Sequence, residues 1–111
     1  MARYVYTVFS NAIAGKEDEY NRWYTEQHLD DVLRVPGFVA AQRFRLALED
    51  AAAPAQHLAI YEMETDDPRK TLAELEARAG TPAMPISPAL DVAVVKALLY
   101  GAITAHKRAW R

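Results

Sequence analysis

N-R-W-Y-T-E-Q-H-L-D-D-V-L-R-V-P-G-F, Asn21 to Phe38, reads as a helix that ends in a hard stop. Pro36 restricts the residue before it and Gly37 permits a turn, so the helix closes near Arg34 and an extended segment begins at Phe38. Upstream, Glu17, Asp18 and Glu19 suit the first turn of a helix opening near Lys16, where carboxylates complement the helix dipole. Ser10 to Gly15 is a loop. Before it, Arg3 to Phe9 (R-Y-V-Y-T-V-F) is β-branched or aromatic at nearly every position. That composition suits a strand buried on both faces.

Downstream the pattern repeats in a different order. Phe38 to Leu48 is a second strand, Glu49 to Gln56 a loop, and His57 to Glu64 (H-L-A-I-Y-E-M-E) a third strand. Thr65, Asp66 or Asp67 caps a second helix, about Pro68 to Ala79, that turns Leu72 and Leu75 to one side and closes at Gly80. Thr81 to Pro88 holds three prolines and is irregular, Ser87 to Val95 suits a short helical turn, and Val95 to Ile103 is the last strand. The order β-α-β-β-α-β is the ferredoxin-like arrangement, an α+β fold in one domain over residues 1–111. Two helices cover one face of a four-stranded sheet. Since the first and third strands are apolar at consecutive positions, the other face also calls for cover. A homodimer packed sheet to sheet supplies it.

The chain has 111 residues, 51% hydrophobic and 25% charged, the mix of a soluble globular protein. A formal net charge of −2 argues against a sequence-independent nucleic-acid binder, which needs a basic surface. No basic run or long apolar segment points to a membrane, and no secretory leader is legible, so the expectation is a cytoplasmic protein. With no cysteine, disulfides, thiolate metal sites and cysteine nucleophiles are excluded. Neither a phosphate-binding glycine loop nor a paired-histidine metal motif occurs, and no cofactor is implied.

Candidate chemistry gathers on the first helix. Tyr20, Tyr24 and His28 are spaced by four and share a stripe, with Trp23 beside it and Asp31 one turn on. A carboxylate near the His28 imidazole raises its pKa and burial lowers it, so His28 is either poised for proton transfer near neutral pH or a packed core histidine hydrogen-bonded to backbone. Strand alternation puts His57, Ala59, Tyr61 and Met63 on one face and Leu58, Ile60, Glu62 and Glu64 on the other. Glu62 calls for a cationic partner, and Arg43 or Arg45 on the neighbouring strand is the expected one. Arg43 is alternatively a ligand-orienting group. Tyr4, Tyr6, Tyr24, Tyr61 and Tyr100 supply hydroxyls among apolar walls, as either a tyrosine-rich core or a pocket for a flat, weakly polar molecule. His106 and Trp110 lie in a basic tail, where Trp110 can complete a dimer contact.

The W-Y-x-x-x-H-L-x-D-V-L-x-V-P-G-F block from Trp23 to Phe38, with H-L-A-I-Y-E-M-E and M-P-I-S-P-A-L-D after it, resembles the EthD-like branch of the dimeric α/β barrel proteins. The resemblance implies a ferredoxin-like protomer and a sheet-to-sheet dimer. It also implies small-molecule chemistry of mixed kind, with His28 matching a helix histidine proposed as an acid/base group in related isomerases; a haem role is disfavoured. The first expectation is a cofactor-independent enzyme of acid/base type, a dehydratase, cyclase, isomerase or decarboxylase, acting on an apolar aromatic or polyketide-like compound. His28, Asp31 and Tyr24 are its catalytic candidates; Tyr61, Arg43, Trp23, Tyr6 and His57 line the substrate. The rivals are a ligand-binding or stress-associated dimer without chemistry, and a cofactor-free monooxygenase.

Overall fold

The computed structural model describes residues 1–110. The elements run β1 (Ala2–Ser10), α1 (Glu17–Trp23), a π-helical stretch (Tyr24–His28), α2 (Leu29–Leu33), β2 (Phe38–Arg45), β3 (His57–Thr65), α3 (Pro68–Arg78), a 3-10 turn (Val92–Val94) and β4 (Lys96–Gly101). The sheet order is β2-β3-β1-β4, and all three pairings are antiparallel. This is the expected ferredoxin-like topology.

Local signals place the boundaries. Gly37 (φ 104°) and Gly80 (φ 84°) take the left-handed backbone that ends the first helix and follows α3. The Asp67 carboxylate accepts from the Lys70 N–H at 3.1 Å, capping α3 with Pro68 in its first turn. β2 is shorter than Phe38–Leu48. The Leu46 N–H donates to the Gln56 carbonyl at 2.8 Å and closes the hairpin there, leaving Leu48 exposed. The helical turn expected over Ser87–Val95 shrinks to Val92–Val94, and the last strand to Lys96–Gly101.

The two sheet faces differ. On the helix face, Tyr4, Met63 and Phe38 lie across neighbouring strands, as do Tyr6, Tyr61 and Ala41. Tyr20, Tyr24, Val32 and Val35 from the first helix and its exit pack on them. Leu72 and Leu75 of α3 join from the side, as their spacing predicts. The other face carries Val5, Phe9, Leu58 and Ile60, with Leu98 and Tyr100 of β4 and Phe44 of β2 exposed. No helix covers it.

Register corrects one expected ion pair. Arg43 faces Ala59 and Arg45 faces His57, so both belong to the helix face, away from Glu62. Glu62 instead lies 3.8 Å from Arg3 on the open face. Both side chains there are about half exposed, so the pair contributes little to stability. Tyr100 is also on the open face and does not join the other tyrosines.

Candidate functional site

The first helix is not a regular α-helix where its chemistry sits. The Leu29 N–H donates to the Tyr24 carbonyl, an i→i+5 bond that defines the π-helical stretch. In an α-helix, residues three and four apart are neighbours. Here Trp23 and His28, five apart, stack with ring centroids at 4.6 Å and planes 29° apart. The Tyr24 ring meets His28 edge-on at 5.1 Å. Trp23 is held from far along the chain, since its Nε1–H donates to the Pro85 carbonyl at 3.0 Å.

Behind His28 stands a wall of tyrosines. Tyr20 is fully buried and shares a 2.6 Å hydrogen bond with Ser10 Oγ. The Tyr61 hydroxyl donates to the Tyr24 hydroxyl at 3.3 Å. Among the described residues nothing accepts the proton of Tyr24 itself. Burial pushes the Tyr24 phenol up to about 12 and the Tyr61 phenol up as well, so both remain neutral hydrogen-bond donors. Tyr6, half-buried with its ring 6.4 Å from that of Tyr61, is raised by burial and by the charge of Glu76 on α3.

Burial decides the charge of His28. It lowers the imidazole to about 4 against the opposing pull of Asp31. The expectation of a group titrating near neutral pH is therefore corrected: His28 is neutral at pH 7. Asp31 is the weaker influence for a visible reason. Its Oδ1 is 2.7 Å from the Arg34 guanidinium, which offsets the carboxylate's charge. The Nδ1 of His28 and the Oδ2 of Asp31 are both buried without a hydrogen-bond partner. Buried polar atoms in folded proteins are seldom left so.

Arg43 and His57 belong to the other flank of the wall. Asn21 and Thr25 follow the two tyrosines in sequence, whereas Trp23 precedes Tyr24, so the pairs lie on different sides of the helix. Arg43 donates to Thr25 Oγ1 at 2.8 Å and to Asn21 Oδ1 at 2.9 Å. Its guanidinium lies 4.7 Å from the Tyr24 ring centroid and 5.3 Å from that of Tyr20. It thus ties the π-helical stretch to β2 and does not face His28. The His57 ring sits 5.0 Å from Tyr20. Burial lowers its pKa, with Arg43 and Arg45 adding to the effect, and its Nδ1 is also unpartnered. Of the predicted site residues, Trp23, Tyr24, His28, Asp31, Tyr61 and Tyr6 therefore lie around or behind one imidazole. Arg43 and His57 lie apart from it.

Sequence reading missed Asn21 and Thr25, whose spacing of four was a usable sign of a polar pair facing a neighbour. It missed Ser10, Glu76 and Pro85, which no local pattern connects to the helix. Among the described residues no group of three histidine or acidic side chains is arranged to hold a metal ion. A cavity of about 800 Å³ lies on the opposite, open face of the sheet and does not touch His28.

No protein-family profile matches the chain, and no curated protein sequence does. Solved structures do. An EthD family protein from Bacillus halodurans C-125 superposes with a TM-score of 0.60 at 11% identity, over 89% of this chain and 96% of the other. The chain has the EthD-type fold. A proposed monooxygenase from Shewanella loihica PV-4 shares this EthD-type fold, with a TM-score of 0.59 at 20% identity over 94% and 97% of the two chains. So does the haem degrader MhuD from Mycobacterium tuberculosis with two haems in its active site, at 0.63 and 17% over 94% and 99%. Here Tyr20, Tyr24 and Tyr61 fill the layer between the first helix and the sheet, and the His28 ring is stacked on Trp23.

Proposed function

We propose that the protein is a small-molecule enzyme in which neutral His28 acts as a general base. The observation that carries this reading is the buried, unpartnered Nδ1 of an imidazole kept neutral by its surroundings. The substrate class is a flat, largely apolar compound with an acidic C–H beside a carbonyl, or a phenolic O–H. In the Nε2–H tautomer, the Nδ1 lone pair takes the substrate proton. The electron pair left behind moves onto the substrate oxygen. Tyr24, whose hydroxyl already accepts from Tyr61, donates to that oxygen as its charge grows. The free oxygen of Asp31 favours the imidazolium while it lasts. Return of the proton to another atom completes an isomerisation; delivery of the same proton to a departing hydroxyl, which leaves as water, completes a dehydration and restores the neutral imidazole.

A second reading shares the first step. The anion of an electron-rich phenol can instead react with molecular oxygen. The fold shared with a proposed monooxygenase favours keeping this branch. In both readings a second copy of the chain covers the open apolar face of the sheet.

The test is turnover of a panel of aromatic and polyketide-like carbonyl compounds, with product analysis and an oxygen electrode. Positioned acid/base groups contribute about 10²–10⁴-fold, so His28→Ala loses rate on that scale while retaining fold. Tyr24→Phe loses rate with binding largely kept. Unchanged turnover in His28→Ala ends the base assignment. Oxygen consumed in step with product selects the monooxygenase branch.

A further inference from the structure

Charge is unbalanced at one corner of the helix face. β2 is an edge strand of the sheet, and Arg43 and Arg45 lie at its end. The ion pairs among the described residues are Arg3–Glu62, Arg34–Asp31 and Arg78–Glu74, so no carboxylate neutralises either guanidinium. Arg43 is held by neutral groups alone: Asn21, Thr25 and the rings of Tyr20 and Tyr24. Arg45 is exposed, and among the described residues its side chain makes no hydrogen bond.

Strand register brings a histidine to the same corner. Ser10, His57 and Arg45 form one row across β1, β3 and β2, and Val8, Ala59 and Arg43 form the next. Residues directly opposite on one face of an antiparallel pair stand about 4.5–5.5 Å apart at Cβ, and diagonal neighbours are still within reach of long side chains. Arg45 is opposite His57 and Arg43 is diagonal to it. The imidazole rests on Tyr20 and leaves its Nδ1 buried without a partner. Like charges opposite one another weaken a sheet. Burial and then both arginines hold His57 toward its neutral form. The corner therefore gathers two uncompensated cations about an imidazole, with no anion of the chain's own between them.

We propose that Arg45, His57 and Arg43 form a binding site for a small anion, a molecule bearing a carboxylate or phosphate group, separate from the His28 site. Arg45 offers two parallel N–H donors, which match two oxygens of one carboxylate or phosphate. Nδ1 is the buried nitrogen of His57, so Nε2–H is the one that donates to the ligand. Arg43, fixed by Asn21 and Thr25, contributes its charge from the next row. Access is from the free side of the edge strand. The buried rings of Tyr20 and Tyr24 stand between this corner and His28. The anion is therefore a second ligand, and the site does not depend on the reaction assigned to His28.

The chain has three histidines, so their imidazole carbon signals are few enough to follow one by one in NMR spectra. Inorganic phosphate, and separately acetate, is titrated into the full chain at constant pH and ionic strength. The site predicts that the His57 signals move and saturate with at least one of the two anions, while those of His28 stay in place. It also predicts that Arg45→Gln, a change on an exposed side chain, weakens that binding at least about tenfold, or about 1.4 kcal/mol. His57 signals that hold still with both anions overturn the site. An unsaturated drift that His57 shares with His106 in the basic tail means an adventitious ion only and overturns it too. His28 moving in step with His57 overturns its separateness and makes the anion a group of the His28 ligand. An unchanged affinity in Arg45→Gln removes Arg45 and with it the proposal. Should that variant fail to fold, Arg45→Lys keeps the charge and loses the fork, and equal affinity there overturns the forked contact.

Discussion

Acidification tests the state of His28 directly. Burial takes its pKa from 6.5 to about 4. Between those values the unfolded chain binds a proton at this position that the folded chain refuses. Stability therefore rises with pH through this window, and falls as pH drops from above 6.5 toward 4. A shift of that size, at 1.36 kcal/mol per unit, corresponds to about 3 kcal/mol lost once pH 4 is reached. Burial lowers His57 as well, so a difference is needed. His28→Phe keeps a flat ring against Trp23 and cannot titrate. Urea unfolding of both proteins at one protein concentration, from pH 7.5 to pH 4, gives that difference. Wild type should lose about 3 kcal/mol more than His28→Phe on acidification. A difference that stays flat would refute the desolvation account. One of opposite sign would mean that Asp31 outweighs burial and that the imidazole is charged in the folded state.

Two further perturbations probe the scaffold. Arg43→Lys keeps a charge but loses the forked hydrogen bonds to Asn21 and Thr25 and the flat contact with Tyr24, at a cost of about 2 kcal/mol; chemical denaturation measures it, and a change within error would show that the clamp is idle. Gly37→Ala should cost more than about 1 kcal/mol, because φ is 104° there and a Cβ would meet Thr71 Cγ2 at 3.0 Å; its melting temperature falls if the turn is as tight as drawn, and holds if the turn can relax.

Strand and helix identity was legible because each is written in a short period. The alternation in His57–Thr65 sorted Ala59, Tyr61 and Met63 from Leu58 and Ile60 correctly. The stop at Pro36-Gly37, the Asp67 cap and the closing glycine are likewise local. The pairing of Glu62 was misread because alternation assigns faces within one strand, while a partner across strands depends on register. Register places Arg43 beside Ala59, and a bulge lies between Phe38 and Ala40.

What the sequence determined by itself is the order of elements, their ferredoxin-like arrangement and the aromatic helix that carries His28. These follow from hydrophobic period, caps and breakers, which act over a few residues. What only the tertiary structure decided is the environment of that histidine. The α-helical period put Tyr24 and His28 on one stripe, and they do meet edge-on, but the π-helical turn also stacks Trp23 on His28, held by a carbonyl at Pro85 that lies 62 residues away in sequence. The charge state depends on a competition between lost solvation and a carboxylate already neutralised by Arg34. Desolvation depends on everything packed around the ring, and Coulomb energy on distances, so neither is written in a spacing.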